Sequence, residues 1–264
     1  MMGFVGHQHI AHGAILTTIV VTTLLLCSTG GAEQASPNDH LAQARAAYRK
    51  RRSTAQSVKA VELYEKAITT KATYEACWEG ARAASHLGQN GWSKAPRQKR
   101  QDLFQKGLDW AKQATKINPG GAEGHYYTAV LTGLNAQERT FFHQMASAKS
   151  IRLAAERAAK INPRVECGGP VRLLGLYYRQ LPTAFGGNNH TALSYLEKAA
   201  RFCPDDREIR YELAECLHTV GQDARARKEA QWVIDNPPTT PNDLDDYRSV
   251  KRDTEKLLQE IDGG

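Results

Sequence analysis

The sequence lacks an apolar run of the length that comfortably crosses a bilayer, and it offers little that predicts β-strands. Residues 14–26 of the 264 read AILTTIVVTTLLL, thirteen residues without charge, whereas a span needs about 20. Hydrophobic residues make up 41% and charged residues 24%, which excludes a disordered, collagen-like or multi-span membrane chain. After residue 32, alternation is absent and β-branched residues are scarce, so an all-α fold is expected.

The N-terminal 32 residues carry no charge at neutral pH. Residues 14–26 match the apolar core of a secretory signal, and the small residues 28–32 that follow permit cleavage after Ala32. Cys27 also stands where a lipoprotein is modified, although Leu26 occupies a position where a small residue is usual. The organisation expected is therefore a signal peptide over 1–32 and one helical domain over 33–264, with lipidation at Cys27 as an open alternative.

Cysteine is scarce and unpatterned. The five cysteines include no C-x-x-C pair and no Cys/His set at zinc spacing, so no metal site is expected. For Cys77, Cys167, Cys203 and Cys216 the favoured interpretation is four thiols buried at helix contacts. The alternative is a disulfide, with Cys203 and Cys216 as the nearest pair along the chain.

The chain is basic, with 35 Lys and Arg against 28 Asp and Glu and a net charge of +7. Basic residues bunch at 49–52 and 94–100. Such runs can contact nucleic acid or an anionic membrane. Neither run carries interleaved aromatic residues, so solvated helix ends and loops are the favoured interpretation, and no nucleic-acid partner is expected.

A recurring pattern organises the rest of the chain. Lys-Ile-Asn-Pro at 116–119 recurs at 160–163, and Pro204 and Pro238 close similar segments. The same frame of packing positions, most of them small residues at steps of four and three, precedes each proline. Its members are Gly107, Ala111 and Ala114; Ile151, Ala155 and Ala158; Ala192, Leu196 and Ala199; Ala226, Ala230 and Val233; and, without a closing proline, Ala60, Tyr64 and Ala67. Small residues on one helix face let a partner helix approach closely, and the proline ends the helix.

This pattern resembles the tetratricopeptide repeat (TPR), a 34-residue helix–turn–helix unit. The proline spacings are 44, 41 and 34 residues, so the excess lies in longer helices or longer loops. We expect a TPR-like solenoid of about five helix pairs. The expected first helices of the pairs are 38–52, 74–88, 121–136, 168–181 and 206–220. Their partner helices are 55–70, 98–117, 138–161, 188–203 and 223–236. A final helix over 242–261, whose start Asn242 or Asp243 can cap, covers the end of the array.

The fourth unit carries a more specific resemblance. Gly-Gly-Pro-Val-Arg-Leu-Leu-Gly-Leu-Tyr-Tyr at 168–178 is followed by Pro182, by Phe-Gly-Gly at 185–187, and by Leu-Ala-Glu at 213–215. The stretch 166–218 is similar to the T-component family of tripartite ATP-independent periplasmic (TRAP) transporters. Thr183 departs from the glycine that the family favours after the loop proline.

The resemblance implies an exported, periplasmic or envelope-associated bacterial scaffold for protein–protein interaction, an accessory of a TRAP-type uptake system. Its partner would be a periplasmic protein such as a TRAP substrate-binding protein, and its membrane contact would be a lipid anchor. The alternative is a carrier that binds an apolar small molecule in the solenoid cleft.

Candidate contact residues lie in the third and fourth units. For each candidate, a role within the fold is the alternative to contact with a partner or ligand. That role is core filling for the aromatic residues and an internal salt bridge for the arginine. The candidates are Arg172, Tyr177, Tyr178, Phe185, Tyr126 and Phe142.

No catalytic motif accompanies them. The sequence holds no G-x-S-x-G, phosphate loop or H-E-x-x-H. Glu212 and Glu215 near Asp205 and Asp206 could mimic a carboxylate pair, but acidic residues at a helix start are ordinary partners of the helix dipole. We therefore expect no enzyme and assign no catalytic, cofactor or metal residues.

Export can be tested at the N-terminus. Because residues 14–26 have the character of a signal core, the mature chain should begin at Glu33 or at a lipidated Cys27. N-terminal mass analysis of the envelope fraction distinguishes the two. An intact Met1 on a cytosolic chain would contradict export.

Overall fold

The helices predicted from the repeating pattern are confirmed. Across residues 37–239 and 244–263, which a computed structural model describes, the chain forms eleven α-helices and no strand. The helices are α1 Pro37–Arg49, α2 Thr54–Thr70, α3 Tyr74–His86, α4 Arg97–Ile117, α5 Ala122–Gln137, α6 Phe141–Ile161, α7 Gly169–Gln180, α8 Asn189–Phe202, α9 Arg207–Thr219, α10 Asp223–Asp235 and α11 Leu244–Gly263.

Two short turns interrupt the series. A π-helical turn, Leu87–Gly91, extends α3, and a 3₁₀ turn, Thr183–Phe185, follows α7. The expected signal segment 1–32, Cys27 and the capping residues Asn242 and Asp243 lie outside the described residues.

The helices form five antiparallel pairs, α1/α2 to α9/α10, and each pair packs on the next. The first helices of successive pairs also touch one another from α3 onward, so α3, α5, α7, α9 and α11 form one layer. Leu257 and Ile261 of α11 join the core cluster of α8, α9 and α10. The last helix thus covers the end of the array, as a terminal cap must.

The repeated Lys-Ile-Asn-Pro segments end α4 and α6 in the same way. Asn118 and Asn162 leave the helix with extended backbone. Their side-chain oxygens accept hydrogen bonds from the backbone N–H of Gly120 at 3.1 Å and Arg164 at 3.0 Å. This Asx-type bond gives the backbone a partner where the helix stops.

The excess over the 34-residue period has two sources. In the third unit it lies in long helices, because α5 has 16 residues and α6 has 21. In the fourth unit it lies in loops, since α7 and α8 have only 12 and 14 residues.

Small residues set the distance between helices. The expected packing positions are buried, among them Ala60, Ala111, Ala158 and Ala199. At Gly175 of α7, a Cβ atom would lie 2.7 Å from Cγ of Leu196 in α8, so only glycine allows this approach. Ile151 is the exception, because it is only partly buried.

Overpacking one of these sites tests the arrangement. Ala199 is fully buried beside Val171 and Ile209, so Ala199→Trp should lower the free energy of unfolding by about 3 kcal/mol or more. Ala224→Trp, on the exposed surface of α10, serves as the control. Urea unfolding followed by circular dichroism measures both, and equal stabilities would contradict the packing.

Candidate functional site

A groove lies between α5, α6 and α7. Its volume is about 480 Å³. It runs from Tyr126 and Arg172 to Gln137, Gln144 and Leu181, about 16 Å along α5 at the helical rise. Its apolar lining residues are Val130, Leu134, Met145, Ala148, Ile151, Leu173 and Leu176.

The groove exists because α7 does not cover all of α6. The only fully buried residues of α6 are Ala155 and Ala158 in its second half. In the first half, Met145 and Ala148 are only half-buried and line the groove.

Arg172 lies at one end of the groove. Its Nε and Nη2 donate to both carboxylate oxygens of Glu212 in α9, at 2.8 and 2.7 Å, and Nη2 also donates to Glu208 at 2.7 Å. The Glu212 side chain is only 11% exposed. Burial raises the pKa of Glu212 more than the neighbouring Arg172 guanidinium lowers it. The internal salt bridge expected for Arg172 is confirmed, and the same side chain lines the groove.

Tyr126 stands beside Arg172. A Cβ atom on Gly169, the first residue of α7, would lie 2.7 Å from the hydroxyl of Tyr126. The tyrosine therefore packs directly on the backbone where α7 begins. Burial raises the pKa of Tyr126 to about 12, so its hydroxyl stays neutral and able to donate a hydrogen bond.

A left-handed turn determines where α7 starts. Glu166, Cys167 and Gly168 have φ angles of 44°, 56° and 88°, and each of the two non-glycine residues costs about 1–2 kcal/mol in this region. Glu166 is held there by the Tyr127 hydroxyl at 2.8 Å and by Arg82 at 3.3 Å.

Cys167 in this turn forms a disulfide with Cys203, with their Cα atoms 5.5 Å apart. The interpretation of four free thiols is therefore wrong for these two, and so is the alternative pairing of Cys203 with Cys216. Cys203 ends α8 beside the turn, whereas Cys216 is buried within the cluster of α8, α9 and α10. Cys77 and Cys216 are buried free thiols, as expected.

Three phenylalanines stand at the other end of the groove. Phe141 and Phe142 open α6 and are 52% and 82% exposed, and Phe185 on the 3₁₀ turn is 54% exposed. The ring centroids of Phe141 and Phe185 are 6.3 Å apart. Core filling, the structural role considered for Phe142, is wrong because most of its side chain is exposed. We call these three residues the mouth.

The candidate residues thus divide into three sets. Arg172, Tyr126 and Tyr177 line the groove, and Phe142 and Phe185 belong to the mouth. Tyr178 does not line it; its ring stacks on Tyr195 of α8, with centroids 5.7 Å apart.

The acidic residues considered for catalysis have structural partners. Glu212 pairs with Arg172, and Glu215 accepts a hydrogen bond from Arg179 at 2.7 Å. Asp206 caps α9 by accepting from the Ile209 N–H at 3.0 Å. No group of three His, Cys, Asp or Glu residues suited to a metal occurs in the described part of the chain.

Sequence reasoning missed the apolar wall of Met145, Leu173 and Leu176. In a helical pattern these residues look like ordinary core positions. The one available signal was the excess length of the third unit, which leaves part of α6 without a covering helix.

Comparisons with known proteins support the fold. The family model of Regulator of microtubule dynamics protein 1-3 matches residues 40–167, which end before α7. No curated protein matches the chain. Among solved structures, TTC0263, a thermophilic TPR protein of Thermus thermophilus, is 19% identical, with 81% of this chain and 98% of that chain covered and a TM-score of 0.60. MamA is 13% identical, with 81% and 96% covered and a TM-score of 0.41. The fold is that of a TPR-like helical repeat protein.

The Arg172 ion pair yields a stability prediction. Arg172→Ala leaves the buried Glu212 carboxylate without its bidentate partner, which should cost about 3 kcal/mol at neutral pH. Because burial already raises the pKa of Glu212, this variant raises it further. The loss should shrink as pH falls toward the ordinary carboxyl range of about 4 to 5, where the folded state binds the proton first.

Denaturant unfolding at several pH values measures this loss. Arg152→Ala removes a half-exposed i,i+4 pair with Glu156 and should cost under about 1 kcal/mol, with little pH dependence. Equal losses in both variants would contradict the burial of the Arg172 pair.

Proposed function

We propose that this chain is a non-enzymatic TPR-like scaffold of the bacterial envelope that holds a protein partner in the groove of α5, α6 and α7. The observation that carries the proposal is the groove itself. It is an open, largely apolar surface between three helices, and unpartnered apolar surface is typical of interaction sites. A TPR-like fold supports the general class of interaction scaffold.

The resemblance to T components bears on the kind of partner. The residues that carry it include the whole of α7, which forms one groove wall, and Phe185 of the mouth. A TRAP-type substrate-binding protein in the periplasm is therefore the partner that we propose. The match to the microtubule-regulator family ends at residue 167, so it does not include this wall.

Two features support export of a domain that spans 33–264. The uncharged N-terminal segment has the character of a signal peptide. The Cys167–Cys203 disulfide is of the kind that persists in oxidising compartments such as the periplasm. In the described residues, no helix is both long and apolar enough to span a membrane.

A second function is favoured by the size of the groove. About 480 Å³ lies within the range of small-molecule sites, which are mostly apolar with a few polar groups. Arg172 and the Tyr126 hydroxyl would supply those groups at one end. The alternative is therefore a carrier that holds an apolar small molecule in the groove.

A charge placed in the groove tests the proposal. Leu176→Lys should weaken capture of a TRAP-type substrate-binding protein from envelope extract at least about tenfold, because Leu176 lines the groove without belonging to a core cluster. Leu153→Lys, at an exposed site on α6 outside the groove, should bind as wild type. Circular dichroism checks that both variants fold.

Mass spectrometry separates the two functions. The carrier function is supported, and the scaffold function contradicted, by one result. In it the wild type captures no TRAP-type substrate-binding protein but releases on denaturation an apolar compound that Leu176→Lys lacks. If both variants behave as wild type in both assays, the groove is not the binding site.

A further inference from the structure

The mouth concentrates exposed aromatic surface. Five large apolar side chains stand out as exposed in the described residues, and Phe141, Phe142 and Phe185 are three of them. Their rings contact each other, with centroid distances of 6.1 Å for Phe141–Phe142 and 6.3 Å for Phe141–Phe185. The three rings therefore form a single patch rather than isolated surface residues.

The structure brings a basic run beside this patch. Residues 94–101 contain Lys94, Arg97, Lys99 and Arg100 and no acidic residue. Arg100 donates to both carboxylate oxygens of Glu138, at 2.7 and 2.9 Å, and Arg97 donates to the Glu138 backbone carbonyl. Glu138 lies three residues before Phe141, so the start of α4 is tied to the start of α6.

The segments that carry the phenylalanines are themselves free of acidic residues. Residues 139–155 include Arg139 and Lys149 without any Asp or Glu, and residues 173–196 likewise contain none. The carboxylate nearest to Phe141 along the chain, Glu138, already pairs with Arg100. The exposed aromatic rings thus lie among segments with an excess of positive charge.

We propose that the mouth docks on an anionic lipid bilayer. Exposed phenylalanine on a membrane-binding surface enters the boundary between headgroups and acyl chains, and lysine and arginine near that surface are attracted to anionic headgroups. Phenylalanine offers no hydrogen bond to a nucleic acid base, and the three rings follow closely in sequence on groove residues such as Gln137 and Leu181. The groove would then face the lipid surface. This docking does not depend on which occupant the groove holds.

Sedimentation of the full chain with vesicles tests the docking. Phe141→Ser with Phe142→Ser should weaken binding to vesicles of equimolar phosphatidylglycerol and phosphatidylcholine at least about tenfold. Ile117→Ser is the matched control, since Ile117 is 45% exposed at the opposite end of α4 and should leave binding unchanged. Both changes lie at exposed sites, and circular dichroism verifies folding.

The contribution of the basic run is tested by reversing one lysine just before α4 and one at its far end. Lys94→Glu should weaken binding to the mixed vesicles at least about fivefold and leave binding to pure phosphatidylcholine unchanged. Lys116→Glu, at the far end of α4, should have no such effect. Equal effects of the two reversals would show a response to net charge alone and would overturn the proposal.

A tryptophan placed in the mouth distinguishes docking through the mouth from vesicle binding through the N-terminal segment, which all variants share. In Phe142→Trp, vesicles of brominated phosphatidylglycerol should quench most of the added indole fluorescence, whereas the indole of Ile117→Trp should be unaffected. An unquenched indole at position 142 on vesicles that bind the chain would overturn the proposal. The proposal would also be overturned if the Phe141→Ser, Phe142→Ser variant bound the mixed vesicles as the wild type does.

Discussion

Close approach between helices is the constraint on which the rest of this molecule depends. The helices approach most closely where one of the facing residues is alanine or glycine, as at Ala111, Ala158 and Ala199. Such contacts bury little surface each, so stability comes from repeating them along the array. Where the repeat is interrupted, no other helix of the described residues covers the exposed one. The groove is the direct result, because the short α7 leaves the first half of α6 uncovered.

The left-handed turn before α7 is the second consequence of that irregularity. A chain of ordinary L-residues does not adopt positive φ without compensation. Here Tyr127 and Arg82 bind Glu166, and the disulfide holds Cys167 against the end of α8. The turn thereby fixes the first residue of α7, and with it the position of Arg172. Backbone strain and groove geometry are thus parts of the same arrangement.

The sequence predicted the helices well because their signals are local. Periodicity and proline placement located α4 and α6, which end at Asn118 and Asn162 as the repeated motif requires. Pairings between distant segments carry no local signal, which is why the partner of Cys203 was missed. Core filling, the alternative considered for Phe142, was wrong for a related reason: an apolar residue on a helix is buried only if another helix covers it. For Arg172, the internal salt bridge is confirmed. The same side chain lines the groove, and its contact with a partner stays a prediction.

Residues that exceed the minimal repeat meet around the start of α6. The start of α4 contributes the basic run, the start of α6 contributes two phenylalanines, and the loop after α7 contributes the third. Glu138 joins the first two through its bonds to Arg97 and Arg100. A solenoid needs none of these additions for packing, since its helices already contact through their small residues. Cationic and aromatic surface held together without a packing role is surface available for contact, and it adjoins the groove at the end away from Arg172.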